Sequence, residues 1–229
     1  MAAQHRFLVS GTDTGVGKTT IACGLAAAFT QRGLRVGVMK PAETGCVVQD
    51  GELTALDAMA LRAAAKSKAA DDLICPYRYA APLAPAAAAV VDGREPPDFS
   101  RIEAAYARLA ADSDVMLVEG AGGLAVPITW RQNYADLALA IDLELILVVA
   151  NRLGCINTTI LSLAYAAQRG LHIKGYILND LESEYSAAGQ TNAHSLETLL
   201  PGRCLGVVKY KGGVSAEICE RIFGPGLGT

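Results

Sequence analysis

The sequence has no excess of positive charge. Its 20 lysines and arginines face 23 aspartates and glutamates, a net charge of −3, whereas a broad nucleic-acid footprint needs a basic surface. It also has no C-x-x-C pair. The six cysteines, Cys23, Cys46, Cys75, Cys155, Cys204 and Cys219, lie far apart. That argues against zinc and dithiol motifs and predicts free thiols in a reducing compartment. His5, His172 and His194 lack ligand spacing and receive no function. No apolar run approaches the ~20 residues that cross a bilayer. The opening MAAQHRFLVSGTD enters a strand pattern directly, without a signal-peptide core. Repeats and charged tails are missing too. The expected setting is cytoplasmic, with neither membrane nor nucleic acid as partner.

What remains is a globular composition, 52% hydrophobic and 19% charged over 229 residues. That length buries a full core, and one domain over 1–229 is expected, with the Gly-rich end FGPGLGT frayed. Six apolar runs are short and continuous: RFLVS (6–10), RVGVMK (35–40), DVMLVEG (114–120), ELILVVA (144–150), IKGYILN (173–179) and CLGVVK (204–209). Continuous apolar character means burial on both faces, as in a parallel sheet. Helical patterns fall near 19–32, 53–65, 101–111, 157–169 and 187–200, the first stopped by Gly33. The alternation predicts an α/β fold: a doubly wound, mostly parallel sheet with helices on both faces. Residues 75–100, with Pro82, Pro85, Pro96 and Pro97, read as loop, short Ala-rich helix, loop. They form either a functional insertion or surface decoration.

The first strand leads into VSGTDTGVGKTT, residues 9–20, and then a helix. Strand, Gly-rich turn and helix are the context of a phosphate-binding loop of the P-loop NTPase type. Backbone N–H groups there carry partial positive charge toward phosphate. Lys18 would neutralise the β- and γ-phosphates and the Thr19 hydroxyl would coordinate Mg²⁺. Five residues, not the usual four, separate Gly11 from Gly17. The extra length leaves Asp13 and Thr14 free to face a second, phosphate-accepting substrate, or simply to form a turn.

Other positions carry chemistry with a plainer reading beside it. Lys40 ends a strand, where ligands bind in open α/β sheets, though a lysine there is often just solvated. Asp57 sits in a helical pattern as an exposed residue or cap. Glu119 ends the DVMLVEG strand like a Walker B acid, and an acid on a buried strand is rarely unpaired. A helix starting after Gly154 would open the N–H groups of Cys155, Ile156 and Asn157 to an anion, or Asn157 or Thr158 would cap it. Asn179 could pair with adenine, or Asn179 and Asp180 could be turn residues. Cys155 has no identifiable base partner and is not read as a nucleophile. Trp130 and Tyr134 are assigned to packing.

GTDTGVGKT closely resembles the loop of the dethiobiotin synthetases, ATP-dependent enzymes of biotin synthesis with the same lengthened spacing. KPAETG (40–45), EGAGG (119–123) and LGCIN (153–157) are similar to further segments of that family, in the same order. The resemblance implies ATP and Mg²⁺ as cofactors, and diaminopelargonate and CO₂ as substrates. It implies a carbamate that ATP phosphorylates before ring closure to a cyclic urea. Lys40, Lys18 and Thr14 would be catalytic. The nucleotide would meet Gly15, Val16, Gly17, Lys18, Thr19, Thr20, Asp57, Glu119, Gly120, Ala121, Gly122, Asn179 and Asp180, with Thr19, Asp57 and Glu119 on the metal. Lys40, Thr44, Gly154, Cys155, Ile156 and Asn157 would hold the diamine, the last four reaching in from the second subunit of a homodimer. Lys209 stands where many relatives have Pro. Two other readings are a switch-type ATPase and the synthetase half of a corrinoid amidotransferase. Asp13 replaces the second loop lysine of the first, and the second needs a glutaminase domain for which this length leaves no space.

Overall fold

The computed structural model describes residues 5–49, 51–184 and 186–224. Its first half runs β1 (His5–Gly11), α1 (Lys18–Gln31), β2 (Val36–Met39), β3 (Ala42–Thr44), β4 (Val47–Gln49), β5 (Glu52–Thr54), α2 (Leu56–Ala64), α3 (Asp71–Ile74) and β6 (Tyr77–Tyr79). Next come α4 (Pro85–Val91), α5 (Phe99–Ala111), β7 (Val115–Gly123), α6 (Tyr134–Ala140) and β8 (Glu144–Ala150). The remainder is α7 (Cys155–Gln168), β9 (Ile173–Asn179), α8 (Ala187–Leu199), β10 (Cys204–Val208) and α9 (Ala216–Phe223).

All six apolar runs become strands of one parallel sheet, ordered β10-β9-β8-β1-β7-β2. Burial explains their composition. Phe7, Leu8 and Val9 of β1 and Leu145 through Val149 of β8 are fully covered, so both faces select apolar side chains. α1 packs on β1, β2 and β7, α5 on β2 and β7, and α7 on β8 and β9. Register places Val9 opposite Glu119 and Ile146. The turn after β1 therefore opens beside the carboxyl end of β7, in the crevice where such sheets bind ligands.

Three differences from the sequence expectation have a local reason. The helix expected near 53–65 loses its first residues to β5, which pairs with β4 as an antiparallel hairpin, and α2 begins at Leu56. α7 begins at Cys155 rather than 157, because left-handed Gly154 (φ 91°) takes the cap position. Within 75–100, α4 is the expected Ala-rich helix, but β6 pairs in parallel with β3 as a second small sheet. Strands of three residues are too short for periodicity to reveal.

α6 went unpredicted although its signal is present. The Asn133 side chain accepts from the N–H groups of Ala135 and Asp136, while the Asp136 carboxylate accepts from the Asn133 N–H, a reciprocal capping box. Tyr134 is buried as expected, but Trp130 is 71% exposed and does not pack. The end FGPGLGT, expected to fray, begins instead with Phe223 closing α9, and only its part from 225 onward lies outside the described residues.

α9 packs on β10 and α1, and an aromatic cluster joins it to α1 and β1. Phe223 meets Phe29 edge-on at 4.6 Å and His5 at 4.8 Å. Phe29 is fully buried. Phe29→Ala is expected to lower unfolding free energy by about 3–5 kcal/mol, read from a shifted urea midpoint at unchanged slope. A loss under about 1 kcal/mol would mean that the cluster closes over the gap.

Candidate active site

The lengthened loop is held at four points. The Thr12 N–H donates to the Val148 carbonyl (3.1 Å), fixing the loop's start to β8. The Asp13 carboxylate accepts from the Thr14 N–H (2.7 Å) and from Arg152 (3.1 Å), and the Asp13 carbonyl accepts from Lys18 Nζ (3.1 Å). Asn179 Nδ2 donates to the Val16 carbonyl (3.0 Å). Val16 turns inward and is buried, whereas Asp13, Thr14 and Gly15 stand out in solvent. The extra residue therefore lifts Asp13–Gly15 into an exposed arch while Val16 anchors the loop.

Gly17 ends the loop with φ 86° and caps α1 without a side-chain acceptor. The first-turn N–H groups of α1 are left facing the arch. A Cβ at Gly17 would overlap Asn179 Nδ2.

Below the arch lies a buried cluster of charge. Lys40, from the end of β2, is 3% exposed; its ammonium donates to Glu119 Oε1 at 2.5 Å and to Asp57 Oδ2 at 2.9 Å. Burial works against its charge, but the two carboxylates outweigh it and hold the ammonium above its ordinary pKa. Lys18 is buried too. Burial, and then the nearby Lys40, lower its pKa, against the pull of Glu119, Asp57 and Asp13. The Thr19 hydroxyl also donates to Glu119 Oε1, at 2.8 Å. Glu119 Oε2 is buried and has no hydrogen-bond partner.

These groups line one cavity of about 540 Å³. Thr14, Gly15, Gly17, Lys18, Thr19 and Thr20 of the loop reach it, as do Lys40, Thr44, Asp57, Glu119, Ala121 and Gly122. Val16 instead lies beneath the loop, and Gly120 packs on Tyr134, whose ring a Cβ there would approach to 3.3 Å. Pro82, Leu83 and Ala84 add a wall from the 75–100 segment, which thereby joins the site and is not mere surface. A second cavity of about 500 Å³ opens on the far side of Thr12–Thr14, against Leu124, Pro127 and Tyr165.

The remaining expected residues sit apart. Asn179 is buried against the loop, and Asp180 lines a smaller pocket of about 120 Å³ with Arg152 and Leu181. The Asp180 carboxylate accepts from Asn151 (2.7 Å) and lies 3.6 Å from Lys209. Gly154, Cys155, Ile156 and Asn157 begin α7, away from the main cavity. Neither Asn157 nor Thr158 caps that helix, because Gly154 does. The Cys155 N–H is not open either; it donates to the Arg152 carbonyl (3.1 Å). Burial raises the Cys155 thiol pKa and pushes Cys75 up to about 12, so neither is a ready nucleophile.

Sequence reasoning missed Glu43 and Arg152. Glu43 lines the main cavity and accepts from the N–H groups of Asp57 and Ala58, both at 2.9 Å. Its only sequence signal was its place inside KPAETG. Arg152 had none, since its partner Asp13 is 139 residues away.

Comparison with known proteins adds the family. A profile described as an AAA domain matches residues 5–217. The ATP-dependent dethiobiotin synthetase BioD of Anaeromyxobacter dehalogenans is 46% identical over 191 residues, 83% of each chain. The chain belongs to the dethiobiotin synthetase family. The BioD of Aromatoleum aromaticum is 37% identical over 99% of this chain and 100% of its own, so the family likeness runs through nearly every element above. A ParA family ATPase of Chlorobium tepidum aligns over 96% of this chain and 89% of its own, with TM-score 0.53 and 17% identity. That likeness speaks for the P-loop fold alone.

A Cβ at Gly17 must displace the Asn179 amide that anchors this dethiobiotin synthetase loop, and a φ of 86° disfavours any side chain there. Gly17→Ala is expected to weaken ATP binding at least tenfold, by calorimetry, with circular dichroism unchanged. Wild-type affinity would show that the loop can do without this left-handed cap.

Proposed function

We propose that this chain makes dethiobiotin from diaminopelargonate, CO₂ and ATP through a carbamate and a carbamic-phosphoric anhydride. The observation that carries the reading is the meeting of Lys18 and Lys40 with Thr19, Asp57 and Glu119 in one cavity beneath a phosphate-binding loop, in a chain of this family. One amine of the diamine adds to CO₂ and releases a proton, giving a carbamate. A carbamate oxygen takes the γ-phosphoryl group of ATP, and ADP is released. The second amine attacks the activated carbon, the C–O bond to phosphate breaks, inorganic phosphate leaves with ring closure, and the attacking nitrogen releases a proton.

Each step needs anions brought close together, so catalysis is chiefly positioning and electrostatics. Lys18 reaches the phosphate side. Lys40 stays charged between two carboxylates and faces the junction of phosphate and carbamate. Thr14, on the arch, and Thr44, beside Lys40, face the second substrate. The donors also suit Mg²⁺. Among the described residues no group of three or more His, Cys, Asp or Glu is assembled, but a cation that keeps water and phosphate ligands needs few protein oxygens. The orphan Oε2 of Glu119, the Asp57 carboxylate and the Thr19 hydroxyl supply them. Bound there, Mg²⁺ would offset charge on the β- and γ-phosphates. Asn179 and Asp180 lie on the base side of the loop, and Gly15 through Thr20 on the phosphate side.

The diamine's carboxylate would be held by the start of α7, Gly154 through Asn157, of a second copy in a homodimer. Leu153 is 86% and Leu161 61% exposed beside that helix end, apolar surface that suits a covered face. Leu161→Asp is expected to sediment as a monomer and to lose most of its activity. A fully active dimeric variant would remove this face from the interface.

With ATP, Mg²⁺, bicarbonate and diaminopelargonate, mass spectrometry should find the cyclic urea, and ATP hydrolysis should require the diamine. Lys18→Gln and Lys40→Gln should each lower product formation by about 10²-fold or more while remaining folded. Hydrolysis indifferent to diamine and bicarbonate would favour a switch-type ATPase instead.

A further inference from the structure

Glu43 is a buried acid that no step above uses. It is 5% exposed, and both of its oxygens are occupied. Oε1 accepts from the Asp57 N–H and Oε2 from the Ala58 N–H, each at 2.9 Å. These N–H groups lie in the first turn of α2, where a helix leaves its donors without internal partners. The helix's own cap residue, Ala55, offers no side-chain acceptor. A carboxylate from β3 therefore caps α2 from outside; burial raises its pKa, and the two N–H groups at the positive end of the helix work against that rise.

The placement is specific. Lys40 stands three residues before Glu43 in the chain and binds the Asp57 carboxylate. The stretch 40–43 thus holds Asp57 twice, by its backbone through Glu43 and by its side chain through Lys40. Asp57 needs such support. Its side chain is 43% exposed, and it follows the β4–β5 hairpin, where Val48 is 66% exposed. A half-exposed carboxylate at the start of a helix gains a defined position only if the helix start itself is fixed. Each oxygen of Glu43 already accepts a backbone N–H, which ties this carboxylate to the helix start.

We propose that Glu43 is a positioning residue: by capping α2 from β3 it sets the Asp57 carboxylate where a divalent cation requires it. This rests on Asp57 being a cation ligand, as argued above. Groups that orient metal ligands typically change metal affinity 10–100-fold when altered.

The test compares wild type, Glu43→Gln, Asp57→Asn and the double variant. Glu43→Gln keeps the size but turns one acceptor into a donor facing an N–H. Mn²⁺ binding to the protein–ADP complex, followed by electron paramagnetic resonance, is expected to weaken about tenfold in Glu43→Gln. Affinity for ADP without metal should hold, and the double variant should match Asp57→Asn. In turnover, the KM for Mg²⁺ should rise while kcat at saturating Mg²⁺ stays near wild type. Wild-type Mn²⁺ affinity in Glu43→Gln beside a weakened Asp57→Asn would overturn the proposal and leave the cation reading standing. An unaffected Asp57→Asn would overturn that reading and this proposal with it. A Glu43→Gln protein that unfolds, or loses metal-free ADP binding equally, would mark Glu43 as a stability cap and also overturn the proposal.

Discussion

The site depends on one buried ion pair, Lys40 with Glu119 at 2.5 Å, each residue at most 3% exposed. Removing two charges from water costs several kcal/mol per ion, so the pair persists only where neighbours satisfy it. Here the neighbours come from separate elements. Glu119 lies midway along β7, Lys40 directly follows β2 beside it, Asp57 comes from α2, and Thr19 from α1. Each needs the others in place, and the parallel register of β2 with β7 and of β7 with β1 brings them together. The second oxygen of Glu119 has no hydrogen-bond partner among the described residues. A buried acceptor without a donor is costly, and a reactant or cation that meets it recovers that cost.

The sheet was legible because burial on both faces leaves a direct trace: uninterrupted Val, Ile and Leu in runs of about six residues. Gly17, Lys18 and Thr19 were legible because a phosphate loop needs a left-handed glycine and a cation at fixed spacing. Lys40 and Glu119 were legible as charged residues at the carboxyl ends of apolar strands. The contacts across the chain were not. Glu43 caps a helix whose first turn lies 14 residues on, and Arg152 reaches back to Asp13 across 139. No local pattern encodes a pairing made by tertiary packing. The short β3, β4, β5 and β6 escaped because three residues carry no period. Trp130 was misjudged because large aromatic rings are so often buried, yet this one faces solvent.

The same physics explains the glycines after Glu119. Gly120 lies on the ring of the buried Tyr134, and Gly122 adopts φ 64° with Val126 close by. Neither place admits a side chain without displacing a neighbour. The run EGAGG therefore lets β7 finish close beneath the arch, with its acid inside and its backbone thin.

Thr14, Gly122 and Val126 line both the main cavity and the one beyond the arch, so the two are neighbours. A Cβ at Gly122 would come within 3.7 Å of the Thr14 hydroxyl. The two chambers thus share one thin wall. A side chain at Gly122 would press on Val126 at 2.8 Å, so a single added carbon there would reshape both chambers at once.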